Sequence, residues 1–156
     1  MLLIKILCVG KLKDSFFREA VAEYEKRMKT LCKLEIIEVP EERLPENPSE
    51  SQIEKALQKE GERLLVKASG KIIPLCIEGR QIDSQGLADL LNSAMQLPGS
   101  VSFVIGSSFG LSNEVKAKGQ GISMSRMTFP HTLARVMLVE QVYRGLQILG
   151  GGKYHK

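Results

Sequence analysis

Apolar positions along the chain change rhythm several times, and each change marks an element. Leu2 to Val9 is a nearly unbroken apolar run ended by Gly10, which predicts a buried strand. Asp14 or Ser15 can cap the next segment. There Phe17, Ala20, Val21, Tyr24 and Met28 recur at three and four, the helical period, with Glu19, Glu23, Lys26 and Arg27 on the other face. Leu34 to Val39 predicts a second strand, closed by Pro40. Residues 40–49, PEERLPENPS, hold three prolines and no period, so they form a loop. Ser49-x-x-Gln52 and Ser51-x-x-Glu54 both have capping-box form and open a charged helix that runs to about Ala68.

Lys71 to Ile77 predicts a third strand in which Pro74 is awkward. A proline cannot donate to a ladder, so it belongs near an edge, a bulge or a strand end. Asp83 or Ser84 starts a helix through Met95, with Leu87, Leu90, Leu91 and Ala94 inward and Pro98-Gly99 breaking it. Val101 to Ile105 predicts a fourth strand running into Gly106-Ser107-Ser108-Phe109-Gly110. Ser112 caps a short helix over 113–118, and Ile122 to Met124 is a fifth strand. The last helix runs from Pro130, suited to a first turn, to about Leu149, and stops at three glycines. Strands alternating with helices predict an α/β domain with a mostly parallel sheet.

Composition narrows this picture. A chain of 156 residues makes one domain, 1–156, with a real core. No stretch approaches the roughly 20 apolar residues that span a membrane. The apolar N-terminus is short, is interrupted by Lys5 and lacks a signal-peptide pattern, so a cytoplasmic location is expected. Cys8, Cys32 and Cys76 are an odd, widely spaced set, read as thiols rather than disulfides. With two histidines and no close ligand spacing, no metal site is expected. Net charge is +4, but after Glu114 seven Lys or Arg face one acid, Glu140. That asymmetry suits either an anionic partner such as nucleic acid or a solvated basic surface.

Ligands of open α/β sheets bind beyond the carboxyl ends of strands, here the loops after Ile77, Ile105 and Met124. Gly106-x-x-x-Gly110 lets a backbone approach a ligand, though it serves equally as a tight turn. It matches neither the dinucleotide nor the P-loop pattern. The last helix is apolar on too many sides for one stripe. It is either covered by a second protomer or central in a monomer. His131, after Pro130, reads as a packing or capping residue. Tyr154 and His155 lie on a polar tail that orders only against some partner, where Tyr154 can stack and His155 can hydrogen-bond or move a proton.

The opening VGKLK, the segment AEYEKRM, the strand VIG entering a glycine loop, then MTFPH, VEQVYR and the terminal YHK run the whole length of the chain. Together they resemble the RlmH family of SPOUT-class methyltransferases, which methylate N3 of a pseudouridine in large-subunit ribosomal RNA. The resemblance implies an α/β fold with a C-terminal trefoil knot. It implies S-adenosylmethionine as cofactor, held by Leu75, Gly106 and the run Met124, Ser125, Arg126, Met127, Thr128 and Phe129. It implies a homodimer acting on large-subunit ribosomal RNA within the assembled ribosome. It also implies a catalytic centre built with the tail, with His155 as base or hydrogen-bonding group, Tyr154 on the target base and Arg144 on developing negative charge. Lys116, Lys118, Arg126, Arg135 and Lys156 are candidate phosphate contacts. Relatives often have Gly-Gly at Gly106-Ser107 and Pro in place of Lys153. A non-catalytic ribosome-binding assembly factor of the same fold is the alternative.

Overall fold

The first apolar run is the strand β1 (Leu3–Val9) of the computed structural model, which describes residues 1–156. Its side chains alternate between two cores. Ile4, Ile6 and Cys8 enter one, and Leu7 and Val9 enter the other. That two-sided burial explains a run with no polar alternation. The remaining elements follow as α1 (Ser15–Met28), β2 (Lys33–Val39), α2 (Glu50–Lys67), β3 (Lys71–Gln81), α3 (Ser84–Gln96), β4 (Ser100–Ile105), α4 (Asn113–Lys116), β5 (Ile122–Ser123) and α5 (His131–Leu149). All strand pairs are parallel, in the order β2-β1-β4-β3-β5.

Helices α1, α3 and α5 share the larger core with Val101, Phe103 and Ile105 of β4. On the opposite face Leu64 of α2, Val115 of α4 and Leu111 pack on Leu7, Val9 and Val104. The caps are as the local sequence predicts at the starts of two long helices. Ser49 and Gln52 close a reciprocal capping box, and Asp83 accepts from Gly86 N–H. Asp14 precedes α1 without a side-chain cap bond.

β3 is longer than its apolar run. Pro74 pairs with Val104 at the last position shared with β4, so its missing N–H falls where the ladder to that neighbour ends. The strand then pairs with β5, with an irregularity between Leu75 and Arg80. Residues 76–79 are thereby displaced from the ladder toward the carboxyl end of the sheet.

α5 carries the buried side chains Arg135, Leu138, Val139, Val142 and Leu146. It packs against both α1 and α3, while Leu133, Val136, Met137 and Tyr143 remain half-buried. Arg135 is a correction to the expectation of a phosphate contact. It is 1% exposed, paired with Glu38 and donating to the carbonyls of Val9 and Gly10.

Candidate active site

Three loops meet at the carboxyl end of the sheet, those predicted after Ile77, Ile105 and Met124. They enclose a cleft of about 340 Å³, within the range that holds drug-sized ligands. The displaced segment Cys76–Glu78 forms one wall, Gly106–Leu111 a second, and residues 122–129 a third. The first turn of α5 closes the cleft with His131 and Ala134.

The glycine loop is a tight turn. Gly110 N–H donates to the Ser107 carbonyl at 2.9 Å, and Phe109 N–H to Ser107 Oγ at 3.3 Å. Gly110 has φ of +89°, whereas Ser107 keeps ordinary negative φ, so serine is accommodated there without strain. A Cβ on Gly106 would stand 2.2 Å from the Gly110 carbonyl oxygen, so only glycine fits. Behind the loop, Glu60 of α2 is buried. One of its oxygens accepts Glu42 N–H at 2.9 Å, and the other has no partner. Burial raises its pKa, partly offset by the Glu42 N–H.

Of the residues expected around a cofactor, Leu75, Gly106, Met124, Ser125, Met127, Thr128 and Phe129 line this one cleft. Arg126 is exposed and does not line it. Within 124–129 the internal bonds are those of Ser125. Its Oγ accepts Met127 N–H at 3.0 Å and its carbonyl accepts Ser123 Oγ–H at 2.8 Å. Most main-chain groups of this loop therefore have no hydrogen-bond partner within the protein and keep that capacity to spare.

The cleft also holds groups that sequence reasoning assigned elsewhere. His131 lines it rather than merely capping. Its Nδ1 is buried without a partner, and burial and the neighbouring Arg135 hold its pKa below the usual histidine value. Glu78 and Lys116 line it as an ion pair, 2.5 Å between Oε1 and Nζ. That contact lowers the Glu78 pKa. Cys76 is a third addition. Only the position of the loop after Ile77 pointed toward Glu78, since no motif marks it.

A second polar cluster lies further along α5. Gly150–Gly152 turn the chain so that the tail lies back on the helix. The Tyr154 ring sits edge-on to Tyr143, centroids 4.7 Å apart, and its hydroxyl donates to Glu140 at 3.4 Å. Arg144 pairs with Glu140 at 2.6 Å, stands over the Tyr154 ring at 4.7 Å, and meets His155 Nδ1 at 3.2 Å. Guanidinium nitrogens only donate, so His155 Nδ1 accepts and the neutral ring carries its proton on Nε2. Burial and the neighbouring Tyr24 raise the Tyr154 pKa to about 12, so its hydroxyl stays protonated. The structure thus brings Arg144, Tyr154 and His155 together.

This cluster is remote from the cleft of its own chain. Arg144 follows Ala134 by ten residues, about 15 Å along the helix axis.

No group of three or more His, Cys, Asp or Glu side chains is placed to hold a metal, and no helix is long and apolar enough to cross a membrane. A family model described as "Predicted SPOUT methyltransferase" matches residues 2–155. Among solved structures, a probable methyltransferase from Bordetella pertussis Tohama I is similar, with TM-score 0.54 and 14% identity over 92% of this chain and 93% of that one. TrmJ from Z. mobilis ZM4 gives 0.49 and 12% over 92% and 69%. Archaeoglobus fulgidus Nep1, bound to S-adenosylhomocysteine, gives 0.48 and 13% over 93% and 99%.

Proposed function

The chain belongs to the SPOUT methyltransferase family, whose cofactor is S-adenosylmethionine, and from that premise we propose that it methylates N3 of a pseudouridine in large-subunit ribosomal RNA. In this reading the protein is a homodimer that acts in the cytoplasm on assembled ribosomes. One observation carries the finer assignment. The motifs VEQVYR and YHK are separate in sequence, yet Arg144 of the first meets His155 of the second at 3.2 Å. The trefoil knot implied by the family resemblance belongs to the same reading.

The cleft fits the cofactor. Apolar walls from Leu75, Ile105, Ile122 and Phe129 suit a purine face, and the unpaired main-chain groups of 124–129 suit its edge. When bound, S-adenosylmethionine supplies an electrophilic methyl group on a sulfonium. Main-chain recognition orients that group without adding charge beside it. Orientation is the larger part of the task, because nitrogen, methyl carbon and sulfur must be in line.

The acceptor is an imide N–H, a weak nucleophile until its proton passes to solvent water. With Nδ1 held by Arg144, His155 offers Nε2–H as a donor. His155 and Arg144 stabilise the imide anion by donating to its flanking carbonyl oxygens. Tyr154, its hydroxyl held by Glu140, presents an aromatic edge to the base. Glu140 holds Arg144 in place. The half-buried apolar side chains of α5 supply the dimer surface, and the tail of one protomer completes the cleft of its partner. That arrangement removes the separation of about 15 Å within one chain.

Three of the seven C-terminal cations are already paired, Lys116 with Glu78, Arg135 with Glu38 and Arg144 with Glu140. Lys118, Arg126, Lys153 and Lys156 remain for phosphates. So small a patch favours a preformed ribosomal surface over naked RNA. The test is to incubate the protein with labelled cofactor and either ribosomes or free ribosomal RNA, then locate the methyl group. Label on one pseudouridine N3 in ribosomes, and far less on free RNA, supports the reading. Cofactor binding without methyl transfer to either substrate points to a non-catalytic assembly factor.

A further inference from the structure

Glu78 and Lys116 are the charged side chains that line the cleft. Its other polar groups are serines, a threonine, a cysteine thiol, main-chain groups, and a His131 ring that burial keeps neutral. The two charges are opposite and touch, with Nζ and Oε1 2.5 Å apart. They come from different walls, Glu78 from the displaced segment of β3 and Lys116 from the end of α4. Glu78 is 60% exposed and Lys116 32% exposed at the side chain, so the pair is open to solvent. A solvent-exposed pair of this kind adds little to folding and opens readily.

S-adenosylmethionine carries one such pair of opposite charges itself, the α-ammonium and α-carboxylate of its amino-acid end. Its adenine and ribose are neutral. We propose that the Glu78–Lys116 pair is the receptor for that amino-acid end, with Lys116 taking the carboxylate and Glu78 the ammonium. One ion pair is exchanged for two charge-assisted contacts, so no net charge is buried. In the free protein the pair spans the two walls. In the bound protein the ligand is threaded between them. This inference rests on the cofactor reading above and adds the residues that distinguish a whole cofactor from a nucleoside fragment.

Two ligands isolate the contact. S-adenosylhomocysteine keeps the zwitterion, and 5′-methylthioadenosine keeps the adenine, ribose and sulfur but lacks it. Calorimetric titration of both into the full chain and into Lys116→Met, Glu78→Gln and the double variant is the experiment. Each single variant is expected to weaken S-adenosylhomocysteine about tenfold or more, while 5′-methylthioadenosine changes less than about twofold. Retained binding of the fragment also shows that the variant cleft is folded. Equal losses for the two ligands would mean that the pair only braces the walls or contacts the ribose, and either overturns the proposal. Unchanged affinity for S-adenosylhomocysteine overturns it as well. Failure of the unaltered protein to bind S-adenosylhomocysteine overturns the cofactor reading itself.

Discussion

Arg135 Nη1 lies 2.5 Å from a Glu38 carboxylate oxygen and joins the first turns of α5 to the end of β2. The guanidinium is 1% exposed, whereas the carboxylate remains 36% exposed. The desolvated charge is therefore the arginine's, and Glu38 also accepts Leu12 N–H at 2.8 Å. Glu38→Ala leaves a buried cation with carbonyl partners alone and should cost about 3 kcal/mol or more. Pairing it with Arg135→Met should recover over half of that loss. Urea unfolding of the single and double variants checks both. A double variant less stable than Glu38→Ala would refute this account of the pair.

Glu60 gives a pH dependence whose sign is fixed by its burial. Its folded pKa lies above the usual value of 4.5. Between those two values the folded protein keeps a proton that the unfolded chain releases. This group's contribution to stability is therefore present below the usual value and lost as pH rises through the raised one. Glu60→Gln cannot ionise and keeps an oxygen for Glu42 N–H. Its stability relative to the parent should rise from pH 4.5 to 8. Unfolding midpoints across that range that move the other way would exclude the assignment.

Gly106 has no space for a side chain. Gly106→Ala must displace the Gly110 carbonyl and so distort the wall of the cleft. A stability loss of about 1–3 kcal/mol is expected, with S-adenosylhomocysteine bound at least tenfold more weakly, about 1.4 kcal/mol. Calorimetry and thermal melting measure the two effects. Ser107→Gly, in contrast, should retain binding, because Ser107 is already unstrained.

The tail cluster should separate binding from turnover. His155→Ala and Arg144→Ala remove donors that act on the target base, so methyl transfer should fall about 10²–10³-fold. Affinity for S-adenosylhomocysteine should stay within a factor of about two, since Leu75, Gly106 and the 124–129 loop, not the tail, line the cleft that holds it. Single-turnover rates with labelled cofactor, beside calorimetry, give both numbers. Unchanged turnover in His155→Ala removes His155 from the chemistry.

Periodicity located nine of the ten elements to within two residues, because each apolar run is bounded by a glycine, a proline or a cap such as Ser49 or Asp83. β3 was the exception. Arg80 and Gln81 are polar, and what makes them strand is pairing with β5, a contact more than forty residues away in sequence. The three loops of the cleft were legible from strand ends. The gathering of Leu75, Gly106 and 124–129 came from the family resemblance and not from periodicity, since it depends on strand order rather than local pattern. Arg135 misled for a related reason. A charge on an apolar helix looks like a contact for an anion until Glu38, distant in the chain, supplies one. His131 looked structural because it follows the helix-starting Pro130, and periodicity carries no mark of which side chain faces a void.

The length of α5 between Ala134 and Arg144 has a consequence for mixtures of variants. If each working centre borrows its tail across the interface, a cleft-defective and a tail-defective chain are not equivalent losses. Each defect can be confined to one side of a hybrid. Subunits carrying Gly106→Ala, mixed one to one with subunits carrying His155→Ala and allowed to reassort, should restore about a quarter of the parental activity. Either variant alone stays at its own reduced rate at any concentration. Dilution should inactivate the parent as its pairs part, at concentrations where each chain remains folded.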